Sequence, residues 1–312
     1  ISLSSHLVPR RYLIAEHKLY IAAAGFCVGL VALLAVLIKS KKRFAACMSL
    51  IVLTLALLTY QRNLIWRDPV LLWEDTTRKS PGKPRAWLFM GLAYFEKGEY
   101  QPALDAYSAA LHLDPTLARA YHNRGKVYAQ MKNYPAALSD YDSDLKYNVK
   151  LADIFNNRGN VYRHLKKYLQ ALSDYDQAIR LNPGYTEAYN NRGIVYKKLK
   201  LYDLALEDFG MAIRLDPTYA VVHNNRGNLL YQLGQREEAL NDFNRAIVLY
   251  TGRPLTVEAR GQLAITHLNR ALYYAGKRQY EAANADAQQA LDYGYTDAHR
   301  YLDLWKPLTG KD

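Results

Sequence analysis

Cysteine is almost absent from the sequence, with two residues of this type among 312. Both of them, Cys27 and Cys47, lie inside long apolar segments near the amino terminus. A disulfide framework is therefore excluded from the polar remainder of the chain, and the cysteines say nothing about its redox compartment.

The motifs of several enzyme classes are also missing. The sequence has no phosphate-binding loop, no dinucleotide fingerprint, no HExxH zinc motif and no nucleophile elbow. Its eight histidines do not have the spacing of metal ligands. We therefore predict no catalytic residue, no metal site and no cofactor in this chain. Whether the chain is the non-catalytic part of an enzyme stays open.

A strong charge excess is missing from most of the chain, although the net charge is +12. Residues 1–84 contain 12 basic and 4 acidic residues, whereas residues 85–312 contain 29 basic and 25 acidic ones. The larger segment is nearly balanced and has no basic stripe. We therefore do not expect it to bind nucleic acid.

Two long apolar segments stand near the amino terminus. Residues 19–38 form a run of 20 residues without a charge, and residues 44–60 form a second run of 17. At about 1.5 Å per residue, the first run reaches across the roughly 30 Å core of a bilayer. We predict a two-helix transmembrane hairpin over residues 1–63, with a buried core helix as the alternative for each run.

The loop between these segments is rich in cations. It reads KSKKR and contains Lys39, Lys41, Lys42 and Arg43. The positive-inside rule places such a loop in the cytoplasm. The residues that follow the second segment are then expected in the periplasm or in a lumen.

What the rest of the sequence contains is an internal repeat of 34 residues. A glycine recurs with this step, at Gly91, Gly125, Gly159, Gly193 and Gly227. An aromatic residue follows 16 positions later, at Tyr107, Tyr141, Tyr175, Phe209 and Phe243. Apolar residues at helical spacing form two runs in each unit, which predicts two antiparallel helices. The glycine is interpreted as a close-packing position whose helix cost of about 1 kcal/mol is offset by burial.

This pattern resembles the tetratricopeptide repeat (TPR) family. The resemblance covers residues 85–292 as six repeats, and Ala271 replaces the glycine in the sixth. An insertion at residues 251–263 is expected to break the regular stacking. Residues 64–84 are predicted to form a connector with a half-repeat cap, and residues 293–312 a C-terminal cap. The predicted fold class is all-α: the transmembrane hairpin followed by an α-solenoid of TPR helix pairs.

Two charged residues recur in the same register. The arginines are Arg124, Arg158, Arg192, Arg226 and Arg270. The aspartates, each 16 positions later, are Asp140, Asp174, Asp208, Asp242 and Asp286. The first repeat has Met90 and Ala106 instead, so both partners are missing together. We predict partly exposed ion pairs within each repeat that brace its helices, each contributing at most about 1 kcal/mol. A charged binding surface is the alternative.

An asparagine precedes each of these arginines. The five residues are Asn123, Asn157, Asn191, Asn225 and Asn269. The TPR resemblance implies that this position lines a concave groove, as in the asparagine ladder of O-GlcNAc transferase. An amide offers a donor and an acceptor to a peptide backbone. Lys126, Asn160 and Asn228 are expected to face the same groove. The alternative is that these amides bond only neighbouring repeats or water.

The junction before the repeats carries a second resemblance. The segments LIAEHKLYIAAAGF (residues 13–26) and TYQRNLIWRDPVLLWEDTTRKSP (residues 59–81) resemble the end of membrane glycosyltransferases of the GT-C type that carry TPR tails. These include the TMTC family of O-mannosyltransferases and bacterial relatives. That family's catalytic carboxylates lie in an early loop that nothing here matches. The chain begins with Ile1 and not with Met, and two interpretations stay open: a complete tethered protein, or the C-terminal part of a longer one.

These observations favour a membrane-anchored interaction module that holds an extended polypeptide on the extracytoplasmic side. Its expected partners are a protein or peptide and the lipid bilayer. One alternative is the acceptor-binding C-terminal part of a GT-C-type protein glycosyltransferase. Another is a scaffold within a larger membrane complex.

Overall fold

The computed structural model describes residues 38, 40–147, 151–252 and 254–309, except for the side chains of residues 61, 62, 64 and 65. These described residues form helices and turns, without a β-strand. They divide into two compact units, residues 1–147 and 148–312. The first predicted membrane span, residues 19–38, lies outside the described residues apart from its last position.

The first unit contains six described helices. They are α1 (Lys41–Arg67), α2 (Pro69–Lys79), α3 (Pro84–Glu96), α4 (Tyr100–Leu113), α5 (Ala118–Gln130) and α6 (Tyr134–Tyr147). Helices α3 with α4, and α5 with α6, are the first two antiparallel pairs of the repeat region.

The second unit contains nine described α-helices. They are α7 (Ala152–His164), α8 (Tyr168–Leu181), α9 (Thr186–Lys198), α10 (Tyr202–Leu215), α11 (Ala220–Gln232), α12 (Arg236–Thr251), α13 (Val257–Gly276), α14 (Tyr280–Asp292) and α15 (His299–Trp305). The first eight of them form four further antiparallel pairs. Six predicted repeats thus correspond to six helix pairs.

Helix α1 contains the second predicted span. Its segment Lys41–Tyr60 is the one helix in the described part of the chain that is long and apolar enough to cross a membrane. Leu50, Leu53 and Leu57 on this segment are among its exposed side chains. The described residues therefore contain one such helix, and a two-helix hairpin is not established.

A sharp break separates α1 from the repeats. Asp68 has an extended backbone and its carboxylate accepts a hydrogen bond from the Val70 amide at 2.8 Å, which caps α2. Proline follows at the first position of α2, where a missing amide hydrogen costs nothing. Helix α2 packs on the first repeat through Trp73, which is buried and stacks on Phe89 with ring centroids 4.9 Å apart.

The repeat glycines lie against the aromatic rings predicted from the sequence. A Cβ added at Gly159 would lie 2.8 Å from the Tyr175 ring, and one at Gly193 would lie 2.8 Å from the Phe209 ring. In the sixth repeat Ala271 stands at the glycine position and Ala287 at the aromatic one, and both are buried. The larger residue at the first position is thus matched by a smaller one at the second.

The turn inside each repeat needs a left-handed residue. Gly98 and Gly234 have φ angles of 79° and 83° there, but Lys132 and Lys200 have 59° and 62°. The residue in this conformation in the second repeat is Lys132, one position before Asn133. A lysine is less favourable than glycine in this conformation because its Cβ crowds the backbone.

The insertion after the fifth repeat is partly helical. Thr256 caps α13 by accepting a hydrogen bond from the Ala259 amide at 3.2 Å, and the residues from Val257 onward lengthen this helix at its start. Asn269 of α13 still donates to Asn224 of the preceding repeat at 2.9 Å. The insertion therefore lengthens one helix and leaves this inter-repeat contact in place. At the other end of the unit, Leu302 and Trp305 of α15 are buried against the sixth repeat.

Candidate functional site

The structure places each repeated arginine against the aspartate of its own repeat. Arg192 donates to both carboxylate oxygens of Asp208 at 2.7 and 2.8 Å. The same two-bond contact joins Arg124 to Asp140, Arg158 to Asp174, Arg226 to Asp242 and Arg270 to Asp286. The aspartate side chains are only 5–7% exposed. The pairs are thus more buried than the partly exposed pairs expected from the sequence.

Arginines of this set also reach the preceding repeat. The Nη1 atom of Arg192 contacts Asp176 at 2.7 Å, and that of Arg270 contacts Asn244 at 2.6 Å. Arg124 reaches Ser108 at 3.0 Å in the same way. The corresponding residue before Arg226 is Gly210, which has no side chain to offer. The arginine is therefore a link within a repeat and, where the neighbour permits, a link between repeats.

Burial and pairing act in opposite directions on these carboxylates. Burial raises the pKa of Asp208, and the hydrogen bond from Arg192 only partly opposes this effect. Burial also disfavours the charged form of Asp242, but hydrogen bonds from Arg226 and His223 outweigh it and lower the pKa of that carboxyl. Asp286 has a lowered pKa for the same reasons, with Arg270 and His267 as donors. Asp242 and Asp286, each of which contacts a histidine, thus both have a lowered pKa.

Two histidines are buried, His223 four positions before Gly227 and His267 four positions before Ala271. His223 contacts Asp242 through Nδ1 at 3.2 Å, and His267 contacts Asp286 at 2.9 Å. They belong to the brace between the helices of their repeats.

The predicted groove asparagines have a more specific arrangement than the sequence indicated. Asn191 donates to Asn156 at 3.0 Å, Asn225 to Asn190 at 2.8 Å, and Asn269 to Asn224 at 2.9 Å. Each bond joins one repeat to the repeat before it. We refer to these six residues as the asparagine row: Asn156, Asn190, Asn191, Asn224, Asn225 and Asn269.

The acceptors of the row were not singled out from the sequence. Asn156, Asn190 and Asn224 are buried and stand immediately before the predicted asparagines. The sequence NNRG occurs at residues 156–159, 190–193 and 224–227. Its two adjacent asparagines could have indicated these acceptors, because neighbouring side chains on a helix point in different directions. The first amide, as at Asn190, can then accept from the following repeat, while the second, as at Asn191, donates to the preceding one.

Asn123 and Asn157 lie outside this row. Both side chains are half-buried, and neither has a hydrogen bond to the residues that the structure describes. For Asn123 the reason lies in the first repeat, where Leu88 occupies the acceptor position and offers no polar group. Their amides are thus available to an external partner.

The three other predicted groove residues have internal contacts. Asn160 accepts a hydrogen bond from the Tyr175 hydroxyl at 2.8 Å. Asn228 donates to Asn269 at 3.5 Å and accepts from the ammonium group of Lys197. Lys126 is exposed, with its Nζ 5.6 Å from the centre of the Phe95 ring.

Profiles of known families match most of the repeat region. A profile described as TPR repeat matches residues 91–132. A profile described as Tetratricopeptide repeat matches residues 152–185, 186–219 and 220–250.

Among curated proteins the chain is similar to the protein O-mannosyl-transferase TMTC3 of Homo sapiens and of Mus musculus. In each case 29% of the residues are identical over 119 positions, which cover 37% of this chain. The match spans 13% of the length of these relatives.

Several solved structures share the fold. A tetratricopeptide repeat protein from Parabacteroides merdae superposes with a TM-score of 0.59 and 23% identity, over 75% of this chain and 90% of that one. PilF of Pseudomonas aeruginosa superposes with a TM-score of 0.57 and 21% identity, over 70% of this chain and 96% of PilF. A chain of the APC/C hetero-tetramer Cut9–Hcn1 superposes with a TM-score of 0.63 and 19% identity, over 74% of this chain and 45% of that one. The 34-residue period, the helix pairs and these matches together identify the chain as an array of tetratricopeptide repeats, a protein-interaction module.

Proposed function

We propose that this chain is a membrane-tethered TPR module that holds an extended polypeptide along its asparagines. The observation that carries the proposal is the asparagine row, in which half-buried amides of one chemical type recur in successive repeats. The contacts within the row fix the amide positions before a ligand arrives. Pre-organised groups lose less conformational freedom on binding, which favours affinity.

The recognition would use the backbone of the ligand. The Oδ1 atom of Asn225 has no partner among the described residues, and Asn123 and Asn157 are not used internally. Amide oxygens accept from peptide N–H groups and amide nitrogens donate to peptide carbonyls. Such contacts do not depend on the side chains of the ligand, so binding would tolerate many sequences.

Tethering is assigned to α1. Its apolar segment Lys41–Tyr60 exposes a continuous set of leucines. An exposed apolar surface of this length would be costly in water and favourable in lipid. The cations of the KSKKR loop favour the cytoplasm for the start of α1, so the repeats would lie on the extracytoplasmic side.

A second candidate function follows from the similarity to TMTC3. The chain could supply the acceptor-binding end of a protein O-mannosyltransferase, since the relatives carry that activity in their names. In this case the asparagines would hold the acceptor polypeptide while catalysis takes place elsewhere. The binding step is the same in both candidates.

The groove is tested by replacing Asn157, which lies in the second unit with the asparagine row and has no hydrogen bond to the described residues. The full chain in lipid nanodiscs is titrated with a permanently unfolded polypeptide, reduced and carbamidomethylated α-lactalbumin carrying a fluorophore. We expect Asn157→Ala to weaken binding about tenfold, which corresponds to the loss of roughly one hydrogen bond. Thermal stability should not change, because no described contact is removed.

The control is Asn133→Ala, which removes an exposed turn amide from the second repeat. It should leave the affinity unchanged. Equal affinity of the Asn157→Ala variant and the native chain would contradict the proposal, as would the absence of binding to the native chain.

A further inference from the structure

A pocket lined by both apolar and polar side chains adjoins the asparagine row in the second unit. It has a volume of about 350 Å³ and lies between α9, the start of α10 and α11. Asn225 lines it and also belongs to the row. A group that enters this pocket would therefore lie beside a polypeptide held along the asparagines.

Three lysines converge on this pocket. Lys197, Lys198 and Lys200 line it, and none of them forms an ion pair with a carboxylate in the described part of the chain. Lysines elsewhere do form ion pairs. Lys277 contacts Glu237 at 3.2 Å, and Lys97 contacts Asp68 at 2.8 Å. The positive charge at the pocket is thus not compensated by a carboxylate of the described residues.

Lys197 is the best defined of the three. It is half-buried, and its ammonium group donates to Asn228, a neutral acceptor. Burial lowers the pKa of Lys197, and the nearby charge of Lys198 lowers it further. An anion beside this group would relieve both effects, because an opposite charge favours the ammonium form.

Beside the apolar side chains of Ile194 and Phe209, the remaining lining supplies neutral polar groups. The Gln232 amide donates to the Tyr202 hydroxyl at 3.1 Å, which leaves the hydroxyl proton free to donate in turn. Ammonium and hydroxyl donors around one pocket match an oxyanion, and such charge-assisted hydrogen bonds are the stronger ones.

We propose that this pocket binds the carboxylate of an aspartate or glutamate side chain in the polypeptide held along the asparagine row. The inference rests on the proposed function and adds a preference to it: ligands with acidic residues would be favoured. The nearly balanced charge of residues 85–312 argues against nucleic acid as the source of the anion.

The preference is measured with three matched peptides and the full chain in nanodiscs. The first peptide contains glutamates and has an amidated C-terminus, and the second has glutamine at the same positions. The third is the glutamine peptide with a free C-terminal carboxylate. We expect the glutamate peptide to bind about tenfold more tightly than either of the others at low salt.

The role of the lysines is tested with a variant that combines Lys197→Gln and Lys200→Asn. It removes two positive charges without disturbing the backbone. Lys197→Gln keeps a donor for Asn228, and Lys200→Asn suits the left-handed conformation at that residue, where φ is 62°. The combined variant should lose the tenfold preference and retain the affinity for the glutamine peptide. The control Lys166→Asn with Lys167→Gln removes the same charge, and Lys166 occupies the same turn position in the third repeat, with φ of 58°.

A second readout does not require peptide binding. Acetylation of Lys197 is followed by mass spectrometry with N-acetylglutamate or N-acetylglutamine present. Protection by N-acetylglutamate alone supports the carboxylate site, and it does so even if no peptide binds and the proposed function fails.

Two results would overturn the inference. Equal binding of all three peptides without protection of Lys197 would remove the carboxylate site and leave the proposed function in place. A preference only for the free C-terminus would contradict the assignment to a side-chain carboxylate.

Discussion

At the scale of residues, the repeat glycine and the aromatic ring that it faces form a matched pair. The ring of Tyr175 is fully buried, and it leaves no room for a Cβ at Gly159. The sixth repeat has the opposite combination, with Ala271 facing Ala287. Glycine is therefore required by the bulk of its partner and not by its backbone conformation, since these positions are helical.

A single methyl group tests this account. Gly159→Ala is expected to lower the free energy of unfolding by about 1–2 kcal/mol, because overpacking exceeds the gain in helix propensity. The control is Gly210→Ala in α10, where the nearest atom to an added Cβ is the Arg214 guanidinium at an ordinary 3.5 Å. The free energy of unfolding of that variant should rise by up to about 1 kcal/mol. Urea titration measures the change in the free energy of unfolding of each variant. A stabilising effect of Gly159→Ala would contradict the matching of glycine to its aromatic partner.

At the scale of elements, the arginine–aspartate pair joins the two helices of a repeat. The Arg192 side chain is 19% exposed, whereas that of Asp208 is 5% exposed. The two partners therefore depend on each other unequally. Loss of the arginine strands a buried carboxylate, but loss of the aspartate leaves an arginine that still contacts Asp176 at 2.7 Å.

The unequal burial predicts an order of effects. Arg192→Met should lower the free energy of unfolding by about 3–5 kcal/mol, as expected when one partner of a buried pair is removed. Asp208→Ala should cost less. The double variant reproduces the methionine and alanine that the first repeat has at Met90 and Ala106, and it should be more stable than Arg192→Met alone. Strict additivity in this double-mutant cycle would show that the pair does not act as a brace.

At the scale of the whole molecule, the parts that recur could be predicted from the sequence. The helix pairs, the glycine contacts and the placement of arginine against aspartate each depend on residues within one 34-residue unit, and five copies gave the register. The contacts between repeats could not be predicted in the same way. Whether an arginine finds Ser108, Asp176 or only Gly210 depends on a neighbour that differs from repeat to repeat.

The site was predictable only in part for the same reason. The sequence indicated which helix carries the asparagines, but not that Asn191 and Asn225 bond backward to Asn156 and Asn190. The lysine pocket was not predicted, because the run YKKLK does not reveal which ammonium group becomes half-buried. Burial depends on how α9 and α11 pack, and that packing involves residues 30 or more positions apart, such as Lys197 and Asn228.

The central claim is that an extended polypeptide lies along the asparagine row, and site-specific photo-crosslinking tests it most directly. A benzophenone amino acid is placed at Ile194, which lines the pocket with Asn225, or at Leu169, a control side chain that is 77% exposed on α8. The full chain in nanodiscs is irradiated with unfolded α-lactalbumin or with its native form. The account predicts a crosslink from Ile194 to the unfolded form alone and none from Leu169. Equal crosslinking from both positions, or none from Ile194, would contradict it.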